Sequence, residues 1–203
     1  MARGLSQRAH QNILDAAAEL FATHGIDAAS MDAIAAAASV SKATVYKHWS
    51  DKDALCMDVL LYVHRREEGP IERNSGDLKA DLKAYLAYEP PADTALMQRR
   101  LAPHLIAYSA KNREFARAWR ARVTERVRAA LLKFLQRGVE QGVFPAVLDQ
   151  ELSVALLWGP MMYQHIFGLS VERQWLAEGV VNTFWKAHAR KSSPSHVFRK
   201  IQE

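Results

Sequence analysis

Residues 41–52 read SKATVYKHWSDK and gather three lysines, a threonine, a tyrosine and a histidine within a dozen positions. These side chains donate hydrogen bonds, and several carry positive charge. On a helix, Val45 and Trp49 lie four residues apart and point the same way. Ser41 closes the helix start, and Lys42, Ala43, Thr44, Tyr46, Lys47 and His48 are left outward or at the margin. Ala43 is small enough to let the helix approach another surface closely. Such a face suits the major groove of B-DNA, where base edges and flanking phosphates accept hydrogen bonds. Lys52 adds a cation beside the free N–H groups of the next helix, a seat for phosphate, although a cation there opposes the helix dipole by about 0.3–1 kcal/mol. The competing reading is an ordinary solvated helix face with extended lysines.

The elements that must hold this face are helical. Ile13, Ala16, Ala17, Leu20 and Phe21 recur at helical spacing, and Gly25 stands where a left-handed cap would end that helix. Ser30 caps a short second helix whose apolar face is Met31, Ile34, Ala35 and Ala38. A break at Ser39-Val40 precedes Ser41, the cap of the third helix. Ser50, with Asp53 three residues on, resembles a capping box for a fourth helix over 51–66. Short helices separated by a tight turn describe a helix-turn-helix unit. A turn-rich linker, GPIERNSGD, follows at 69–77, and helical patterns continue over 77–88, 93–110, 113–141, 149–168 and 171–190. Pro103 and Pro160 fall inside two of these and are expected to kink or break them. The expected fold class is all-α: an N-terminal three-helix helix-turn-helix domain, 1–56, joined to a larger helical domain, 57–203, frayed from about 191.

Composition excludes several classes. The chain carries a net charge of +5, yet residues 1–56 hold 5 basic and 6 acidic side chains. Any nucleic-acid contact there must come from local placement and not from a basic domain. The single cysteine, Cys56, sits on an apolar helix face and forms no disulfide framework. MARGLSQRAHQN lacks the apolar core of a secretory signal, so a cytoplasmic location is expected. The most apolar stretch, 154–171, contains Gly159, Pro160, Gln164 and His165 and is flanked by glutamates, so a buried helix and no membrane partner are expected. There is no HExxH, CxxC, GxSxG or phosphate-cradling glycine loop, and no His/Asp cluster at metal spacing. No cofactor, no metal and no catalytic residue is expected.

The stretch from ILDAAAELFATHG to SKATVYKHWSDKDAL resembles the N-terminal DNA-binding domain of the tetracycline-repressor (TetR/AcrR) family. The likeness rests on L-F-x-x-x-G, I-A-x-x-A and, above all, S-K-x-T-V-Y-x-H-W-x-x-K-D-x-L, and covers about residues 10–56. It implies that Lys42, Ala43 and Thr44 meet base edges, that Tyr46, His48 and Lys52 meet phosphates, and that Ser30 and Met31 lie against the DNA backbone. Ser39 departs from the family, which mostly has glycine in that turn; a left-handed serine there would cost about 1 kcal/mol. Asp32 faces the same region without a cation to offer. Arg3 and Arg8 can form an arm toward phosphate, though a disordered tail is the more ordinary reading.

The resemblance also implies a homodimer on a palindromic operator in double-stranded DNA and a small-molecule effector. Two late helices carry apolar stripes too wide for one internal face: Leu152, Leu156, Gly159 and Tyr163 on the first, Leu176, Val180 and Phe184 on the second. They are the expected dimer interface. For a small hydrophobic effector, Met97, Leu101, His104, Tyr108, Phe115, Trp119, Trp158, Met162 and His165 are the candidate pocket lining, with ordinary core packing as the alternative for most. The function expected is a sequence-specific regulator of transcription, a repressor released by its effector. The alternatives are a helical enzyme and a non-specific DNA-binding or adaptor protein on the same scaffold.

Overall fold

Two serines start the short helices that matter most. Ser30 accepts a hydrogen bond from the Ala33 N–H at 3.1 Å, and Ser41 accepts one from Thr44 at 3.2 Å, satisfying donors that a helix N-terminus leaves open. In the computed structural model, which describes residues 2–65 and 73–190, these caps open α2, Met31–Ala37, and α3, Lys42–His48. Before them runs α1, Ala2–His24, ended as expected by Gly25 at φ 87°. That glycine is needed twice over, because a Cβ there would also stand 3.2 Å from Nδ1 of His104. Next come α4, Lys52–Arg65; α5, Leu78–Ala87; α6, Ala92–Lys111; α7, Arg113–Trp119; α8, Glu125–Glu140; α9, Gln150–Phe167; and α10, Arg173–His188. Every regular element among the described residues is helical, and no helix among them is long and apolar enough to cross a membrane. The expected tail from 191 and residues 69–72 of the 69–77 linker lie outside the described residues.

The side chains bury into two clusters. In the first, Ile13 and Phe21 of α1, Ile34 of α2, Val45 of α3 and Leu55 of α4 meet Leu105 of α6. The second is built from α5, α8, α9 and α10 around Leu82, Leu131, Leu157 and Val181. A boundary at residue 56 therefore falls within α4, whose Val59, Leu60 and Val63 still belong to the first cluster. Polar contacts reinforce that joint: Arg100 of α6 grips Glu19 of α1 with two hydrogen bonds, Lys111 pairs with Asp27 at 2.8 Å, and the Tyr108 hydroxyl donates to Asp53.

Three local expectations change. Asp51, not Ser50, caps α4: its Oδ1 accepts the Ala54 N–H at 2.8 Å, while Ser50 donates to its other oxygen. The carboxylate reaches the open N–H groups and suits the helix dipole better than a hydroxyl does. Pro103 and Pro160 do not break α6 and α9, which run through both. Each proline has buried neighbours on its own helix, Leu101 and Leu105 in one case and Leu157 and Met161 in the other, whose packing offsets the roughly 3 kcal/mol cost of the ring. The single helix expected over 113–141 is interrupted by a π-helical turn, Arg120–Thr124.

Gly138, inside α8, illustrates how tightly the second cluster closes. A Cβ there would meet Cδ2 and Cε2 of Phe144 at 2.3 and 2.5 Å, and Phe144 is itself wedged against Phe184 and Trp185. Gly138→Ala, which would gain about 1 kcal/mol in an open helix, is instead expected to destabilise the chain by about 1–3 kcal/mol through overpacking. Urea denaturation monitored by circular dichroism checks this; an unchanged or raised midpoint would contradict the packing.

Candidate nucleic-acid interface and cavity

The sequence between Ser39 and Trp49 folds into a helix pinned from beneath. Val45 is fully buried and Trp49 is 3 % exposed, with its indole Nε1 donating to Asp58 of α4 at 2.9 Å. His10 of α1 stacks on that indole, ring centroids 4.7 Å apart. Two helices, α1 and α4, thus fix the pitch of α3. Lys42, Ala43, Tyr46, Lys47 and His48 remain exposed on its other side, with Thr44 half-buried. Thr44 and Ser41 also share a hydroxyl–hydroxyl hydrogen bond of 2.9 Å.

The turn before α3 keeps its left-handed residue in spite of the missing glycine: Ser39 has φ 55°. Its N–H bonds the Ala36 carbonyl and Val40 bonds that of Ala35, so the geometry is held by the backbone. Ser39→Gly removes a left-handed penalty of about 1–2 kcal/mol and adds unfolded-state freedom. A net gain of about 0.5–1 kcal/mol is expected, read as a higher thermal midpoint. A fall in the midpoint would show that the serine side chain stabilises the turn.

Several candidate residues have partners the sequence did not reveal. The Lys42 ammonium pairs with Asp32 at 2.5 Å, both side chains largely exposed, so Asp32 brings α2 to the same face after all. An exposed pair of this kind is weak and readily exchanged. Lys52 turns back to donate to the Asp27 carbonyl at 2.9 Å, and its Nζ lies 5.9 Å from the centre of the Tyr108 ring. Met31 is buried in the first cluster, so only its backbone N–H at the start of α2 can face a phosphate. Ser30 is exposed beside it. His48 stands edge-on to His10, centroids 5.3 Å apart. Arg8 is exposed on α1, which includes the backbone of Arg3; the Arg3 side chain lies outside the described residues. No spacing signal marked His10 or Asp58, because their partners are brought near by the fold.

On the opposite end, α9 exposes Leu152, Leu156, Tyr163 and Phe167 in one stripe, with Gly159 open among them. Trp175 of α10, 67 % exposed, and the open Gly179 extend this surface. Leu176 and Val180 are half-buried against the second cluster. Phe184 does not belong to the surface: it is buried between Phe144 and His188. The helical phase of α10 sends 177, 181 and 184 inward, and Trp175 takes the outer position.

Most of the expected pocket lining belongs to the two clusters. Leu101, Tyr108 and Phe115 are buried in the first cluster, Met97 and Trp119 pack against it, and Trp158 packs against the second. His104 fills the space left by Gly25. Met162 and His165 do line a cavity of about 530 Å³, which lies between the two clusters. Leu61 and His64 reach it from α4, Gln98 and Arg99 from α6, Arg122 from the π turn, and Arg173 from α10.

Burial pushes His64 down to about 4, with the neighbouring His165 adding to the effect. His165 is lowered by burial and then by Arg173 and Arg99; His10 is lowered by burial and then by His48. The unfolded chain takes up these protons near pH 6.5 and the native chain only at lower pH. Stability is therefore expected to fall as pH drops from about 6.5 toward 4, above the range where carboxylates such as Glu19 and Asp51, lowered by their hydrogen bonds, begin to matter. Thermal midpoints should decline between pH 7 and 5, and His64→Gln should flatten the decline. A flat wild-type profile would exclude the neutral buried histidine.

Known proteins share this arrangement. Residues 13–58 match the family model described as bacterial regulatory proteins, tetR family, and residues 73–184 match the tetracyclin repressor-like C-terminal domain. The uncharacterized HTH-type transcriptional regulator YdeS of Bacillus subtilis is 29% identical over 189 residues, 92% of this chain and 93% of its own. Among solved structures, MexZ, a repressor responsible for antibiotic resistance in Pseudomonas aeruginosa, superposes with a TM-score of 0.66 at 25% identity, covering 89% of this chain and 94% of its own. The flavonoid-responsive regulator FrrA gives a TM-score of 0.69 at 24% identity, over 92% of this chain and 100% of its own, a likeness of fold.

Proposed function

As this chain belongs to the tetR family of bacterial regulatory proteins, we propose that it represses transcription as a homodimer on a palindromic operator and is released by a small-molecule effector. Membership makes it a DNA-binding, helix-turn-helix transcriptional regulator and not an enzyme. The observation that carries the finer reading is the mounting of α3: Val45 and Trp49 are held from beneath while the opposite face is exposed. On that face Lys42, Ala43 and Thr44 read base edges, and Tyr46, Lys47 and His48 bind phosphate. Ser30 and the Met31 N–H meet the backbone at the start of α2. Lys52 reaches phosphate by exchanging the Asp27 carbonyl for it, so in this protein operator binding and the α1–α2 loop compete for one ammonium.

A single helix-turn-helix reads few base pairs, and two-fold pairing through α9 and α10 sets two of them on successive half-sites. The exposed stripe from Leu152 to Phe167 supports that pairing. Release follows from α4, which supplies Leu61 and His64 to the cavity and, at its other end, Asp53 to the Tyr108 contact and Asp58 to Trp49. An occupant that displaces α4 tilts the recognition helix.

Selection of duplexes from a randomised pool by the purified protein, followed by fluorescence anisotropy, tests the reading. Enrichment of an inverted repeat, bound by two chains, is expected. Equal binding to unrelated duplexes at moderate salt would defeat the sequence-specific reading, and one chain per site would defeat the dimer.

A further inference from the structure

The cavity carries more positive charge than its own walls neutralise. Arg99, Arg122, Arg126 and Arg173 line it, against one carboxylate, Glu89. Among the described residues none of the four guanidinium groups is in an ion pair. Arg173 donates through Nε to the Leu86 carbonyl at 2.8 Å, and Arg99 through Nε to Ala95 at 3.3 Å, leaving their terminal nitrogens without a hydrogen bond among those residues. Arg173 is half-buried, and burial lowers its pKa despite the opposing pull of Glu89. An uncompensated guanidinium in such a place is costly unless something pairs with it. His64 and His165, kept neutral, do not add to the charge but offer further hydrogen-bonding atoms. The π turn matters here, since it is the element that carries Arg122 to the wall, and such turns often mark functional sites.

Beside Gln98, Gln164 and two tyrosines, the remaining lining is apolar: Leu61 and Met161 are among the side chains that face the same space. We propose that this cavity takes a small organic carboxylate with an apolar body, its carboxylate held by Arg99 and Arg173 beside His165 and its body lying along Leu61 and Met161. Guanidinium groups match a carboxylate with paired, charge-assisted hydrogen bonds. The effector is therefore amphipathic and anionic, which differs from the purely hydrophobic ligand expected from the aromatic residues. The proposal deepens the effector reading and rests on it.

Isothermal titration of the full chain with two matched sets tests it: 1-naphthaleneacetate, its amide and 2-(1-naphthyl)ethylamine, and decanoate, decanamide and decylamine. In at least one set the carboxylate is expected to bind ten-fold or more tighter than the amide, with the amine weaker still. Arg99→Gln and Arg173→Gln should each cost the carboxylate about ten-fold and leave the amide unchanged, which also shows that the variants are folded. Should Arg173→Gln melt the fold, Arg99→Gln and Arg126→Gln decide the matter. Absence of carboxylate binding in both sets, amides that bind equally, or arginine variants that bind as wild type would overturn the proposal. Naphthyl phosphate binding ten-fold tighter than the acetate would overturn the choice of carboxylate. Operator release is titrated separately: a carboxylate that binds without releasing DNA refutes the effector role while the anion site stands.

Discussion

Leu156→Asp is expected to give a folded monomer that binds its operator on the order of 10²–10⁴-fold more weakly than wild type. Leu156 is 47 % exposed in the single chain, so an aspartate there meets water and leaves the second cluster intact. In the proposed dimer the same position faces a copy of itself across a two-fold axis, and a buried, unpaired carboxylate on each side costs several kcal/mol. The neighbouring stripe explains why pairing is favoured at all. Leu152, Tyr163, Phe167 and Trp175 are large apolar side chains left to solvent, a continuous surface of the kind that monomers rarely keep. Gly159 and Gly179 have nothing within 4 Å of a would-be Cβ, which lets two helices approach closely. Losing the partner removes the second half-site contact, and the first becomes a weak encounter. Light scattering reads the oligomer, anisotropy the affinity, and circular dichroism the fold. A variant that still scatters as a dimer would place the interface elsewhere.

Trp49→Ala is expected to destabilise the protein by about 3–5 kcal/mol, as for other buried tryptophans, and to abolish operator binding. The indole fills the space between α3 and α4, carries the stacked His10, and satisfies Asp58. Its removal leaves a cavity and also an unpartnered carboxylate. Because the first cluster extends through α4 into Leu105 and Phe115, the loss spreads beyond the DNA-binding helices. The thermal midpoint should fall by about 10 °C or more for a chain of this size. Trp49→Phe separates the two contributions: packing is largely restored, and the remaining deficit, about 1–3 kcal/mol, reports the Asp58 partner. A Phe variant as unstable as Ala would assign most of the effect to the hydrogen bond, and an Ala variant as stable as wild type would contradict the anchoring of α3.

Much of the N-terminal unit was legible because its signals are local. Ser30 and Ser41 cap the helices they precede, Gly25 and Ser39 take the left-handed conformations their positions demand, and Val45 and Trp49 face inward at helical spacing. Ser50 misled because Asp51 lies one residue closer to the same open N–H groups and carries the charge the dipole favours. The two prolines misled for a different reason. Proline acts on one hydrogen bond, whereas buried residues on either side act on the whole helix.

Further along the chain the periodicity still yielded helices but not their partners. Phe184 and Trp175 are both aromatic residues on α10, and only the packing of 177 and 181 into the second cluster decides that one is core and the other surface. The same ambiguity blurred the cavity lining, of which only Met162 and His165 stood among the expected residues. Large aromatics and methionines mark any helical interior, so Tyr108 and Phe115 drew attention while Arg99, Arg122 and Arg173, spread over three elements, did not.

By itself, then, the sequence determined the all-helical class, the helix-turn-helix, and the face of α3 that meets DNA in the proposed function, since each depends on residues within a few positions of one another. Only the tertiary structure decided where Lys42 and Lys52 rest, which stripe stays uncovered, and that the cavity is cationic. Those properties arise between residues as far apart as Asp27 and Lys52, or Leu86 and Arg173, and distance along the chain carries no information about charge or contact until the helices pack.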